Sequence, residues 1–292
     1  MEFVQPLSIT EALEAKNAHP EAVPIRGGTD VMVELNFARS RPDMVLDLSR
    51  VEELEEWGTE DGRLRVGAGM SYTRIIEEIG ERLPGLAMAS RTVGSPQIRN
   101  RGTVGGNLGT ASPAGDALPP LYASEAQVEV ASVGGTRRMP VADFIRGPKE
   151  NALAGNELIS AFYIEGAGGP QQYSKIGTRN AMVIAVCAFA LALHPRSGEI
   201  GTCIGSAGPT PIRAVEAERF VRGVMEEGGL WESRAAIPDA ALRRFGELVA
   251  GAARPIDDVR GTAEYRRHAV GVLARRSLGW AWDEYRGAES AA

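Results

Sequence analysis

Short apolar runs, broken by glycines and polar turns, organise this chain as far as about residue 208. AVPIRGG (22–28) and MVLDLS (44–49) read as buried strands, the first of them ending in glycines. RLRVGAG (63–69) alternates as a strand does, and QVEVAS (127–132) and ELISAFYIE (157–165) restore that character further on. IAVCAFALAL (184–193) and EIGTCIGSAG (199–208) flank HPRSGE, which predicts a hairpin. Ser8-Ile9-Thr10-Glu11 is a capping box that opens a short helix. Ser71 caps a second helix containing Ile75, Ile76 and Ile79. Beyond Arg213 the period lengthens to that of helices, in VEAERFV, ALRRFGELV and TAEYRRHAVGVLARRSLGW. In the last of these, Tyr265, Ala269, Val272 and Leu273 are expected to share one face. From 86 to 119 a passage rich in Gly, Ser, Thr and Pro shows little periodicity and reads as a long loop. Strands and helices intermix without regular βαβ alternation, which predicts an α+β chain. A boundary is expected near residue 170, at GAGGPQQ, and no internal repeat is visible.

Composition narrows the classes. With 292 residues, 43% of them apolar and 24% charged, the chain suits a soluble protein of about two domains. A formal charge of −6 and a pI near 5.4 give no basic field for nucleic acid or an anionic membrane. The two cysteines, Cys187 and Cys203, fall in apolar runs, which excludes a disulfide scaffold and favours a reduced compartment. Two Cys and three His assemble neither an Fe–S set nor a Cys/His zinc set, so no metal ligands are assigned. MEFVQPLSITEAL lacks the basic and apolar regions of a signal peptide, and no run is long enough to span a bilayer. The expected location is cytoplasmic.

Chemistry concentrates in RNRGTVGGNLGTASPAGDALP (99–119). Gly102, Gly105, Gly106, Gly109 and Gly115 stand among Thr103, Asn107, Thr110 and Ser112, and Asp116 follows as a single acid. Glycines let backbone N–H groups approach an anion closely, and small hydroxyls add donors without bulk. Asp116 repels phosphate but suits a sugar or ribityl hydroxyl, which donates to a carboxylate. The alternative is a set of tight turns that only permits packing. IRGGTDVM (25–32) supplies a second glycine turn directly after a strand, so two turns can grip a diphosphate from both sides. No GxxxxGK[ST] occurs, and the GAG at 67–69 meets Tyr72 where a dinucleotide fingerprint needs its third glycine, so it reads as a structural turn.

GGTDVMVEL, RPDMVLDLS and SPQIRNRGTVGGNLGTASPAGDALP together resemble the FAD-binding medium subunit of molybdenum hydroxylases of the carbon monoxide dehydrogenase and xanthine dehydrogenase type. The likeness continues through GSAGPTPIRAVEAE (205–218) and DDVRGTAEYRRHAVGVLARR (257–276) and covers nearly the whole chain. It implies a vanillyl-alcohol-oxidase (PCMH) type FAD-binding domain at 1–170, in subdomains of about 1–54 and 55–170. A C-terminal α+β flavoprotein domain at 171–285 and a tail at 286–292 would follow. It implies that Pro24, Ile25, Arg26, Gly27, Gly28, Thr29, Asp30 and Val31 form one pyrophosphate loop, and Thr103, Val104, Gly105, Gly106 and Asn107 the other. By the same likeness Asp116 binds a hydroxyl of FAD, Val93 packs against the cofactor, and Leu158 and Lys175 contact it near the flavin ring. The family often carries an Asp just beyond Lys175-x3-Arg179, where this chain runs Asn180-Ala181-Met182-Val183. The cysteine count also excludes the extra Fe–S loop of some relatives.

The resemblance implies an electron-transfer component of a three-part hydroxylase, carrying noncovalent FAD and no catalytic acid or base of its own. Its partners would be a small subunit with two [2Fe–2S] clusters and a large molybdopterin subunit, in a dimer of heterotrimers. Electrons would enter from the clusters and leave to an external acceptor. A free-standing flavin-dependent reductase on the same fold, or an FAD-binding module without turnover, is the alternative. Lys175 is read as a flavin neighbour, Asp30 as a loop brace, and Arg99 and Arg101 as facing solvent or a partner, with phosphate contact the alternative for the two arginines. His19, His194 and His268 lie outside these motifs.

Overall fold

The computed structural model describes residues 1–39 and 41–287. Strand β1 (Glu2–Val4), helix α1 (Ile9–Ala18), strand β2 (Val23–Ile25), helix α2 (Val31–Asn36) and strand β3 (Met44–Asp47) form the first unit. Its three-stranded sheet has the order β1-β3-β2, with both pairings parallel. Ser8 caps α1 by accepting from the Glu11 amide at 3.2 Å. The Glu11 carboxylate reaches back to the Leu7 amide at 2.8 Å, one residue earlier than a regular capping box. Lys16 is buried, and its ammonium donates to the carbonyls of Pro20 and Ala22, tying α1 to the approach of β2.

Strands β4 (Trp57–Glu60) and β5 (Arg63–Gly67) begin the second unit, followed by helices α3 (Tyr72–Glu78), α4 (Pro84–Arg91), α5 (Pro96–Arg101), α6 (Val104–Thr110) and α7 (Leu118–Ala123). Then come β6 (Gln127–Ser132), β7 (Gly135–Pro140), α8 (Val141–Phe144), β8 (Ile145–Gly147), β9 (Glu150–Asn151) and β10 (Leu158–Ile164). The five-stranded sheet runs β4-β5-β10-β6-β7, entirely antiparallel. Period-two alternation sorts its faces. Leu64, Val66, Val128, Val130, Phe162 and Ile164 enter the core with Ile75, Leu86 and Leu121 of the covering helices. On the other face the Tyr163 hydroxyl lies 2.9 Å from Glu60 and 3.1 Å from Glu129, with Arg138 bonded to both acids.

The expectation of a long loop over 86–119 is overturned, because α4 to α7 occupy most of it. Each of these helices is six to eight residues long and starts from a local device. Pro84 and Pro96 fill first-turn positions, where a missing N–H costs nothing. The Thr103 hydroxyl caps α6 at the Gly106 amide, 2.8 Å away. Two turns are too short to display a 3.6-residue period, and the glycines of α6 have low helix propensity. Burial of Val104 and Leu108 secures that helix instead.

Strands β11 (Gln171–Ile176), β12 (Cys187–His194) and β13 (Glu199–Gly205) form an antiparallel sheet, and the last two make the hairpin. Helices α9 (Val215–Glu227), α10 (Leu230–Ser233), α11 (Asp239–Ala252) and α12 (Ala263–Gly287) follow, the last reaching the end of the described residues. Of the tail expected at 286–292, residues 288–292 lie outside the described residues. The buried stripe of α12 differs from the expected one. Arg266, Ala269, Val270, Leu273, Ala274, Ser277 and Leu278 are buried, whereas Tyr265 is half exposed and Val272 only partly covered. Helix α12 packs both on the β11-β12 face and on α11, so its buried arc is wider than one apolar stripe and rotated away from Tyr265. Arg266 is admitted to that arc by an ion pair with Asp258 and a bond to the Ser206 carbonyl.

The third sheet docks on α7 through glycines. A Cβ at Gly201 would collide with the Ala123 carbonyl, and one at Gly205 would meet Pro119 at 2.7 Å. Backbone packed this closely cannot yield without moving the sheet. Gly201→Ala is therefore expected to lower stability by about 1–3 kcal/mol, the usual cost of overpacking. Chemical denaturation checks it, and a variant as stable as the parent would show that the docking is loose.

Candidate functional site

Strand β2 delivers the chain into the 26–30 turn at the edge of the first sheet. Gly28 adopts φ +74°, a left-handed conformation that favours glycine, and its carbonyl accepts from the Met32 amide at 3.0 Å. At Gly27 a Cβ would collide with the Arg101 carbonyl, so the first turn rests directly on the backbone that leads into the second. The Arg101 guanidinium adds a 3.4 Å bond back to the Arg26 carbonyl. Asp30 accepts the Thr110 hydroxyl at 2.7 Å, which braces the first turn against the end of α6. Arg26 pairs with Glu55, while its Nε is buried without a partner.

The second turn is locked from behind. The Tyr72 amide donates to the Gly102 carbonyl at 3.0 Å, and the Gly105 amide donates to the Ala68 carbonyl at 3.2 Å. A Cβ at Gly105 would collide with Ala68, so this glycine serves packing. Gly106 differs: it is exposed, and a Cβ there would touch only the Thr103 hydroxyl, at 3.1 Å. Because the Thr103 oxygen already accepts from the Gly106 amide, its own proton stays available to an outside acceptor. The Asn107 side chain accepts from the Ala117 amide at 3.2 Å and so steadies the turn that carries Asp116.

The two turns face each other across a cleft of about 900 Å³. Residues 24–31, Val93, Thr103, Gly105, Gly106, Asn107, Asp116 and Leu158 all line it. Val104 does not, because its side chain is buried in the core beneath α6. Lys175 does not either. It lines an adjoining cavity and reaches the cleft only through Asp116, which its ammonium bonds at 2.7 Å.

Asp116 is nearly buried, with 11% of its side chain exposed, and Lys175 retains 6%. The Tyr173 hydroxyl donates to the other carboxylate oxygen at 2.8 Å. Burial raises the Asp116 carboxyl above its ordinary value, against the pull of the Lys175 ammonium and the Tyr173 hydroxyl. Burial, with the adjacent carboxylate, also pushes the Tyr173 hydroxyl far up, so it stays protonated and donates. Tyr173 escaped the sequence reading, although a signal was there: in a strand, residues 173 and 175 share a face. Ile159, Lys149, Asn151 and the 182–184 segment also line the cleft and had no motif to mark them.

These features fit a dinucleotide. The cleft lies within the usual range of ligand-pocket volumes. Its glycine faces admit backbone contact, its hydroxyls donate, and Val93, Leu158 and Ile159 give an apolar wall for a ring. Among the described residues that line it there is no His or Cys. The described residues also contain no cluster of metal-binding side chains and no helix long and apolar enough to cross a membrane.

Comparison with known proteins agrees. Residues 1–164 match the family model for the FAD binding domain in molybdopterin dehydrogenase, and residues 172–281 that for the CO dehydrogenase flavoprotein C-terminal domain. The nicotinate dehydrogenase FAD-subunit of Eubacterium barkeri is 32% identical over 76% of this chain and 79% of its own. The glyceraldehyde dehydrogenase medium chain of Sulfolobus acidocaldarius is 28% identical over 94% of this chain and 96% of its own. A carbon monoxide dehydrogenase structure from Hydrogenophaga pseudoflava superposes with a TM-score of 0.86 at 25% identity, covering 98% of each chain. This chain therefore belongs to the FAD-binding medium-subunit family of the molybdenum hydroxylases and is an oxidoreductase component of the α+β flavoprotein fold that its motifs predict.

Proposed function

We propose that this chain is the electron-transfer subunit of a heterotrimeric molybdenum hydroxylase. It takes electrons from the [2Fe–2S] clusters of a small partner subunit and delivers them to an external acceptor. A large partner subunit carries the molybdopterin centre and the substrate, and the assembly is a cytoplasmic dimer of heterotrimers. The observation that carries this reading is the pair of glycine turns fixed across one cleft by the contact of Gly27 with the Arg101 carbonyl. FAD held there supplies a store for electron pairs that can be released singly.

The chain's own residues bind and orient. The open backbone of 26–30, Gly106 and the Thr103 hydroxyl take the diphosphate, and Asp30 and Asn107 hold those turns in place. Asp116 receives a cofactor hydroxyl, Val93 and Leu158 flank the ring, and Lys175 acts on the ring's neighbourhood through Asp116. Val104, the first residue of α6, leaves only its backbone for the cofactor, since its side chain is in the core. The division at about residue 170 separates the FAD-binding unit, 1–170, from the 171–285 unit that carries Tyr173 and Lys175. Purification from the native source tests the reading as a whole: molybdenum and iron should travel with this chain, and a solitary yellow protein would sink it.

Noncovalent attachment follows from the absence of His and Cys around the cleft among the described residues. Acid precipitation should release all the yellow colour into the supernatant, and colour left on the pellet would refute it.

The two neighbouring glycines should behave differently. Gly106→Val should lose FAD while circular dichroism stays near native, because only the Thr103 hydroxyl lies near the new side chain. Gly105→Val should unfold the protein, because Ala68 backbone occupies the space. Normal flavin content in the first variant would place the diphosphate elsewhere.

Asp116→Ala should weaken FAD by roughly ten- to a hundredfold, the worth of a charge-assisted hydrogen bond. It also strands the Lys175 ammonium, so the flavin-free protein should lose about 3 kcal/mol. Titration of FAD beside thermal unfolding of the flavin-free form separates the two effects. A destabilised variant whose FAD affinity stays within about twofold of the parent would leave Asp116 with a purely structural role.

A further inference from the structure

A second cavity, of about 390 Å³, adjoins the flavin cleft and shares Gly94, Met182 and Val183 with it. Arg91, Arg99, Lys175 and Arg179 line it, and among the described residues no carboxylate does. In a chain of net charge −6 this is a local inversion of sign. Among the described residues, Arg91, Arg99 and Arg179 form no ion pair, whereas Lys175 is neutralised by Asp116 on the cleft side. Two of these guanidiniums are held in place by backbone. Arg99 donates through Nη1 to the Val93 and Gly94 carbonyls, at 3.1 Å each, which leaves its remaining N–H groups free. Arg179 donates through Nε to the Met182 carbonyl at 3.0 Å, fixing the 179–182 turn that forms the rim. Arg91 ends α4 and is exposed, with no bonded partner among the described residues. Lys175 spends two of its three donors on Asp116 and the Thr92 carbonyl.

We propose that this second cavity is a binding site for a small phosphate-bearing anion. Guanidinium forks match the paired oxygens of phosphate, and anchoring by carbonyls removes much of the entropy cost of ordering them. Three uncompensated charges from α4, α5 and the 177–183 segment suit a di- or trianion, whereas a monocarboxylate would satisfy only one of them. Its cationic side chains distinguish this cavity from the cleft, which Asp30, Glu34 and Asp116 line. A dinucleotide and a free phosphate both present the required group. The proposal goes beyond the flavin reading and uses none of the residues assigned to the diphosphate of FAD.

Calorimetric titration of the purified full chain with inorganic pyrophosphate, and separately with NADH, tests it. Flavin content is measured on every sample. Pyrophosphate should bind the parent, and Arg91→Ala and Arg179→Ala should each weaken it by roughly tenfold and together by roughly a hundredfold. Flavin content should stay at the parental level in these variants. Arg244→Ala, on the exposed side of α11, should leave binding unchanged. NADH binding that follows the same arginines supports the site and assigns it to a dinucleotide. Pyrophosphate binding without NADH binding supports the site and assigns it to a smaller phosphate. Binding that ignores Arg91 and Arg179, or that displaces flavin in proportion, overturns the proposal. A chain that binds pyrophosphate through these arginines yet carries no flavin would sink the flavin reading and leave this one standing.

Discussion

At Gly27 the carbonyl of Arg101 occupies the space a side chain would take, and the rest of the cleft depends on that contact. It brings the first sheet's glycine turn against the entrance to α6 at main-chain distance, with no side chain to swing aside. The same device recurs behind the second turn, where Gly105 rests on Ala68, and at Gly69, where a Cβ would meet Leu54 at 2.9 Å. Ala68 is in turn bonded to the Ser160 carbonyl at 3.0 Å, so α6 is registered against the five-stranded sheet. Two segments distant in sequence are thereby held at a fixed separation. A ligand bound between them would find its donors already placed, which lowers the ordering cost of binding.

The C-terminal unit meets this scaffold through a different interaction. Tyr173 and Lys175, on one face of β11, converge on Asp116, which belongs to the turn after α6. Both carboxylate oxygens are thus engaged by residues of the third sheet. Burial drives this acid towards neutrality, and the cation and hydroxyl beside it pull the other way. Breaking such a pair from one side is costly because the remaining charge is left buried. One carboxylate accordingly joins the two units and faces the cleft. The Lys175 side of the pair opens on a cavity of opposite electrostatic character.

Glycine serves distinct purposes within a few residues here. Gly28 supplies a left-handed backbone, Gly27 and Gly105 permit close packing, and Gly106 leaves a surface bare. The Thr103 hydroxyl has two uses as well, as cap of α6 and as an outward donor. Helix α6 has poor intrinsic propensity, and its persistence reflects the cap, buried Val104 and Leu108, and the braces from Asn107 and Thr110.

The α+β class, the strands at 23–25, 44–47, 127–132 and 158–164, the hairpin and the C-terminal helices were legible in the sequence. Period-two and period-3.6 patterns are local, and they survive in any fold that buries them. The glycine motifs were legible for the same reason, since an unusual density of small residues needs no partner to be noticed. The sequence could not show that 86–119 is largely helical, because its helices are too short for a period and depend on contacts from elsewhere. It misjudged the buried face of α12, since which arc is covered depends on where α11 and β12 sit. It could not show that Lys175 is buried in an ion pair with Asp116, a residue 59 positions away. Tyr173, the packing role of Gly105 and the convergence of Arg91, Arg99 and Arg179 were likewise decided only by the fold. Each depends on atoms brought together across a long stretch of chain, and no local pattern records such a distance.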